Sequence, residues 1–180
     1  MLSLSNAFTQ NDLINFQKKI INFLDKKEDN EIEYSAEPKI DGISASLVYE
    51  NGKLIRGLSR GDGKEGEDIT ENLKTIKDIP INILEDNFPK EIDIRGEVFI
   101  KNSDFKKISN KFANPRNAAS GSLRQKNPNE TKKIPLKFIA YAFGYENNLS
   151  IKSQSDYLKS LDKWGFKTNP FNKTLTGIKN

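Results

Sequence analysis

The sequence predicts an α+β fold in which antiparallel sheets are flanked by helices. Three observations predict it: an Asn51-Gly52 dipeptide between two β-rich runs, a cleanly alternating stretch at residues 91–100, and helical stripes that stand apart from the strands instead of alternating with them. The last of these argues against a parallel βαβ sheet. With 180 residues the chain fits one domain of ordinary size, so residues 1–180 are expected to act as a single domain.

The elements follow in order. Thr9-Gln10-Asn11-Asp12 has the form of a capping box, and Leu13, Phe16, Ile20 and Leu24 follow at helical spacing. A helix is expected from residue 10 to residue 25, with that stripe in the core. An acidic linker, KKEDNE, separates it from IEYSAEPKI and ISASLVYE, which lead through Asn51-Gly52 into KLIRGLSR. Asn-Gly in that position is the strongest short hairpin signal. Arg60-Gly61-Asp62-Gly63 makes a tight turn, and GEDITENLKTIKDIP a short helix stopped near Pro80. In EIDIRGEVFI, Ile92, Ile94, Val98 and Ile100 face one way and Asp93, Arg95, Glu97 and Phe99 the other, so one face is core and the other is available. A helix capped near Asn102 or Ser103 follows, and Asn114-Pro115 opens another with Pro at its first position. LKFIAYAFGY is a buried strand; Ser153 then caps a helix carrying Leu158, Leu161 and Trp164 and ending at Gly165.

Composition narrows the chemistry. The chain has no Cys and no His, which excludes thiolate catalysis, zinc fingers, Ser-His-Asp triads and imidazole bases. What remains is Lys, Asp, Glu, Arg, Ser, Thr and Tyr, with a hard, oxygen-bound ion such as Mg²⁺ as the plausible metal. That is the toolkit of phosphoryl transfer. Only 35% of residues are apolar and the mean hydropathy is −0.69, yet eleven Phe and five Tyr supply a core. No apolar run approaches a membrane span and the start does not resemble a signal peptide, so a cytoplasmic protein is expected.

Charge is unevenly placed. Residues 101–140 carry ten basic against two acidic residues, net +8 in a chain of net +4, and could meet a phosphate backbone. A solvated Lys-rich face stays open as the other reading. Of 29 basic residues only Arg56, Arg60, Arg95, Arg116 and Arg124 are Arg, and all but Arg56 sit in unusual local sequences. They are candidates for work needing a planar fork on carboxylate or phosphate.

The segment Glu37-Pro38-Lys39-Ile40-Asp41-Gly42 places a lysine between two carboxylates beside a glycine turn. If the stretch is extended, Glu37, Lys39 and Asp41 share a face. Such a lysine is a candidate nucleophile, but it must lose its proton, and Glu37 and Asp41 alone push the wrong way. A cation or converging basic groups such as Arg60 must offset them, or a carboxylate must be turned to another task. Glu97 could accept hydrogen bonds from ribose hydroxyls; its other reading is a surface carboxylate paired with Arg95.

EPKIDG, SRGDGKEGEDITEN, IRGEVFI and FANPRNAASGSLRQ, in this order, together closely resemble the adenylation domain of bacterial NAD-dependent DNA ligases, and MLSLSNAF resembles the start of that region. The resemblance implies a nucleotidyltransferase, ATP-grasp-like fold. It implies that Lys39 attacks the α-phosphorus of NAD and carries AMP, that Glu37 recognises adenine, and that Ser3 and Leu4 contact the nucleotide. In the same way Arg60 would contact sugar and phosphate, Glu97 ribose, and Asp41 would support charge or metal near the lysine. Arg116 and Arg124 resemble residues that approach nicked double-stranded DNA, and NAD and Mg²⁺ are the implied cofactors. Ser5 stands where the family has Asp. Neither D-G-V-V-I-K nor K-F-P occurs in this sequence, so the resemblance implies a partial domain, incomplete on its C-terminal side, with the missing ligase domains supplied by another chain or lost. Little or no activity is expected of the chain alone. An ATP-using polynucleotide ligase and a non-catalytic nucleic-acid-binding remnant are the alternatives.

Overall fold

A computed structural model of the chain describes residues 5–25, 32–63, 65–146 and 151–177. The KKEDNE linker, Ser3 and Leu4 lie outside them. The chain divides into two compact units, one of residues 1–38 with 171–180 and one of residues 39–170.

The first unit contains helix α1 (Gln10–Phe23) and a two-stranded antiparallel sheet of β1 (Glu33–Ala36) and β6 (Lys173–Thr176). The capping box is present: the Thr9 hydroxyl accepts from Asp12 N–H at 3.2 Å and the Asp12 carboxylate accepts from Thr9 N–H at 2.9 Å. The expectation that the α1 stripe is core needs correction. Leu13, Phe16 and Leu24 are exposed, and Gln17 is the helix residue that is buried. Two four-residue strands offer too little apolar surface to cover a fourteen-residue helix; the Phe16 ring meets Tyr34 at 6.4 Å between centroids.

The second unit is built on a four-stranded antiparallel sheet in the order β3-β2-β4-β5, with β2 at Ile43–Glu50, β3 at Lys53–Ser59, β4 at Glu91–Phe99 and β5 at Lys137–Glu146. Alternation puts Ala45, Leu47 and Tyr49 opposite Gly96, Ile94 and Ile92 on the core face, while Ser44, Ser46 and Val48 oppose Glu97, Arg95 and Asp93 on the other. Helices α2 (Thr70–Leu73), α3 (Asn102–Phe105), α4 (Pro115–Leu123), α5 (Pro128–Lys132) and α6 (Gln154–Lys163) complete the unit. Leu73, Leu123, Phe138, Leu161 and Trp164 close the core.

The β2–β3 turn has positive φ at both central residues, +48° at Asn51 and +75° at Gly52, the type I′ geometry that matches strand twist. Three local expectations differ. The 66–80 helix shrinks to the four residues of α2, because the chain continues as turns linked by Thr75 N–H to Asn72 O and Ile79 N–H to Ile76 O. The cap position of α3 is held by Lys101 without a side-chain bond, not by Asn102 or Ser103. α5 and β6 were not anticipated, although Asn127-Pro128 repeats the Asn-Pro start of α4: Asn114 accepts from Asn117 N–H, and Asn127 from Asn129 N–H.

A Cβ on Gly52 would lie 2.1 Å from Ile83 O, in addition to the strain of positive φ. Gly52→Ala should therefore lower unfolding free energy by more than about 1 kcal/mol, measured by urea denaturation.

Candidate active site

The segment carrying Lys39 is not a strand: residues 37–42 link β1 to β2, and both Lys39 and Asp41 are exposed. The glycine ending this link explains how it is held. A Cβ on Gly42 would stand 2.3 Å from Val98 O and 2.9 Å from Glu97 Cγ, so the backbone approaches β4 to a separation that only glycine allows. The nucleophile candidate is thereby docked against the strand that carries Glu97.

Glu97 is 7% exposed, unlike the surface carboxylate of the competing reading. Arg95 instead pairs with Asp93 at 3.2 Å, and Asp93 also accepts from Ser46. Glu97 accepts from the Ser44 hydroxyl, its cross-strand partner, at 2.9 Å. Burial pushes the Glu97 carboxyl above its ordinary range; the Ser44 hydrogen bond and the charges of Lys39 and Arg116 pull it back, while Asp41 adds to the rise. Lys39, Asp41, Glu97 and Arg116 thus form one electrostatic neighbourhood. Half-buried Tyr141 joins it: burial pushes its phenol up, Ser44 hydrogen-bonds to it, and Glu97, Arg95 and Arg60 act on it through space.

Beside this neighbourhood opens a cleft of about 400 Å³, whose lining includes Ser44, Arg60, Glu67, Arg116, Ser120 and Arg124. Arg116, Ser120 and Arg124 follow one another at four-residue spacing along α4, so they share a stripe, while Ala118, Ala119 and Ser122 are buried. Asp41 accepts from Arg116 Nη1 at 2.9 Å and Glu67 accepts from Arg124 Nε at 2.8 Å; all four groups are largely exposed. Arg60 enters from the end of β3, where Ser59 opposes Ala45 near the start of β2. Glu37 belongs to the other unit, where Ser35 Oγ donates to it at 2.9 Å.

The structure therefore brings Lys39, Asp41, Glu97 and Arg116 together and puts Arg60, Arg116 and Arg124 on one cleft. Ser44, Glu67 and Tyr141 were missed. A cross-strand register would have found Ser44, and the stripe from Arg116 to Arg124 was readable from its spacing. Among the described residues no group of three or more acidic side chains is arranged to hold a metal. A hard divalent ion needs only one or two carboxylates when substrate phosphates complete its shell; Asp41 and Glu97 stand beside Lys39, and Asp62 and Glu67 line the cleft.

A model of the NAD-dependent DNA ligase adenylation domain matches residues 1–180. The chain is 73% identical to a DNA ligase of Pelagibacter ubique over 180 residues, all of this chain and 27% of that protein. It is 47% identical to a DNA ligase of Parvibaculum lavamentivorans and 44% identical to one of Xanthobacter autotrophicus, in each case over 94% of this chain and 25% of the relative. The chain spans about a quarter of the length of the curated relatives it matches.

Because the Glu97 carboxyl is raised in the folded state, the stability it contributes is present at acid pH and is lost as pH climbs from the ordinary carboxylate range through the raised one. Glu97→Gln should therefore melt at higher temperature than the parent at pH 8, with the gap closing toward pH 4. Thermal melts across that range check it; a gap constant with pH would contradict the burial argument.

Proposed function

The chain belongs to the NAD-dependent DNA ligase adenylation domain family, and from that premise we propose that it supplies the nucleotidyl-transfer site of such a ligase. The observation that carries the reading is the docking of the Lys39 segment, through Gly42, onto buried Glu97 beside an arginine-lined cleft. Lys39 Nζ attacks the α-phosphorus of NAD, a phosphorus–nitrogen bond forms, and the bond to nicotinamide mononucleotide breaks, which leaves AMP on Lys39. The AMP then passes to the 5′-phosphate of nicked double-stranded DNA, and the 3′-hydroxyl displaces it as the nick is sealed in replication and repair. Little covalent work falls to the protein in such displacements; positioning and charge neutralisation do most of it.

Each residue has a part in this proposal. Glu97, held by Ser44, accepts from ribose hydroxyls, and Arg60 contacts sugar and phosphate. Arg116 and Arg124 approach the DNA backbone, for which the planar guanidinium fork is suited. Glu37, Ser3 and Leu4 contact the nucleotide. Mg²⁺, with Asp41 as a supporting carboxylate, would neutralise phosphate charge. Lys39 is exposed, so water competes for its amine until substrate covers it. The finer fold assignment, a nucleotidyltransferase of ATP-grasp-like type with residues 1–180 as one adenylation domain, belongs to the same proposal. It is supported by the match over the whole chain and by the antiparallel sheets. The other ligase domains, present on the same or another chain, are proposed partners. No helix among the described residues is long and apolar enough to cross a membrane, and a cytoplasmic site of action fits the proposal.

Mass spectrometry after incubation with NAD and Mg²⁺, together with the remaining ligase domains, tests this. The expected result is one AMP on Lys39, release of nicotinamide mononucleotide, and loss of the adduct in Lys39→Ala. Release of pyrophosphate from ATP, or an adduct on a different lysine, would overturn the assignment. Arg60→Ala should slow adduct formation by about 10²-fold. In nicked-duplex binding, Arg116→Ala and Arg124→Ala should each reduce the salt slope by about 1.

A further inference from the structure

Asn72 follows one wall of the arginine-lined cleft in sequence and is hydrogen-bonded to the end of the other. One wall is formed by Arg60, Gly61 and Asp62 with segment 65–69, which is tied to β3: Ser59 N–H donates to Glu67 O and Glu67 N–H to Ser59 Oγ, both at 3.0 Å, and Ile69 N–H donates to Gly57 O at 2.9 Å. The other wall is α4 with Arg116 and Arg124. Helix α2 opens at Thr70, directly after the first wall, and carries Asn72 at 8% exposure. Asn72 Nδ2 donates to Thr131 Oγ1 at 2.7 Å and to Gln125 O at 2.9 Å. Thr131, fully buried, donates to Ser122 O at 2.8 Å. Ser122 and Gln125 flank the C-terminal end of α4, where helical carbonyls lack partners within the helix. The amide of Asn72 and the hydroxyl of Thr131 are thus committed to joining the root of one wall to the end of the other.

Arg124 emerges at that end as the cap residue and reaches across to Glu67. An apolar side chain of similar volume would fill the same space but leave Gln125 O and Thr131 Oγ1 without this donor. What the amide adds is direction, since both acceptors must stay within hydrogen-bond reach. We propose that Asn72 is a positioning residue: through Thr131 and Gln125 it sets the separation of segment 65–69 from α4, and so the alignment of Arg124 for a substrate phosphate. The phosphate part of the proposal rests on the function proposed above.

The chain contains no Cys, so Glu65→Cys and Gly121→Cys introduce a clean spin-label pair flanking the cleft; both positions are exposed, and a Cβ on Gly121 meets nothing within 4 Å. Pulsed electron-spin distance measurement should give one narrow distribution for this pair and a broadened or displaced one when Asn72→Leu is added. Thr131→Val should do the same and replaces Asn72→Leu if that variant does not fold. An unchanged distribution in a folded variant overturns the proposal. For the coupling to Arg124, anisotropy with a fluorescent nicked duplex should show Asn72→Leu weakening binding roughly threefold to tenfold, within the range of coupling between neighbouring residues. In an Arg124→Ala background it should add nothing further; an additive loss overturns that coupling. A parent chain that binds no nicked duplex overturns the phosphate reading, and the distance measurement then decides on its own whether Asn72 spaces the walls.

Discussion

The site depends on a carboxylate held where water scarcely reaches it. Glu97 sits on the sheet's polar face, opposite Ser44, and the cost of burying its charge is only partly offset by that hydroxyl and by the positive charges of Lys39 and Arg116. The backbone of Gly42 packs so close to it that an added Cβ would stand 2.9 Å from Glu97 Cγ. A buried acid, a close-packed glycine and a lysine on the adjoining link are therefore one mechanical unit, built by the β2–β4 register. Shift that register by one residue and Ser44 and Glu97 come to lie on opposite faces of the sheet, one of them in the hydrophobic core.

Around this unit the charges are balanced locally. The net +8 segment does not present all its arginines free: Arg116 meets Asp41 and Arg124 meets Glu67. Exposed pairs of this kind hold little energy, so a phosphate that approaches with two or more charge-assisted bonds can displace the resident carboxylates. Arg116 also stands in the first turn of α4, at the positive end of the helix dipole, where an anion is favoured and a lone cation is not. Both facts favour a polyanion at this face.

Much of this was legible in the sequence because it rested on local chemistry. The Asn51-Gly52 hairpin, the Thr9 and Ser153 caps, the Asn114-Pro115 start and the alternation at residues 91–100 are each set by residues within a few positions of one another. What was not legible depended on distant partners. The stripe of α1 has helical spacing whether or not anything covers it, and here the surrounding unit is too small to do so. The burial of Glu97, its bond to Ser44 and the pairing of Arg95 with Asp93 all need the β2–β4 register, which no local pattern states. Asn72 looked like an unremarkable residue in a short helix; its importance comes from Thr131, fifty-nine residues onward. The motifs that carried the family resemblance singled out Lys39, Arg60, Glu97, Arg116 and Arg124 as candidates without giving their geometry.

The close approach at Gly42 also bears on how such a site can change over time. Because the Gly42 backbone stands against Val98 O and Glu97 Cγ with no room for a Cβ, there is no intermediate size by which the lysine could be moved in small steps. Any replacement would displace the amine and the acid beneath it at once. Lysine and acid are thus coupled through one glycine, whereas the exposed rim pair of Arg124 and Glu67 can vary without moving either.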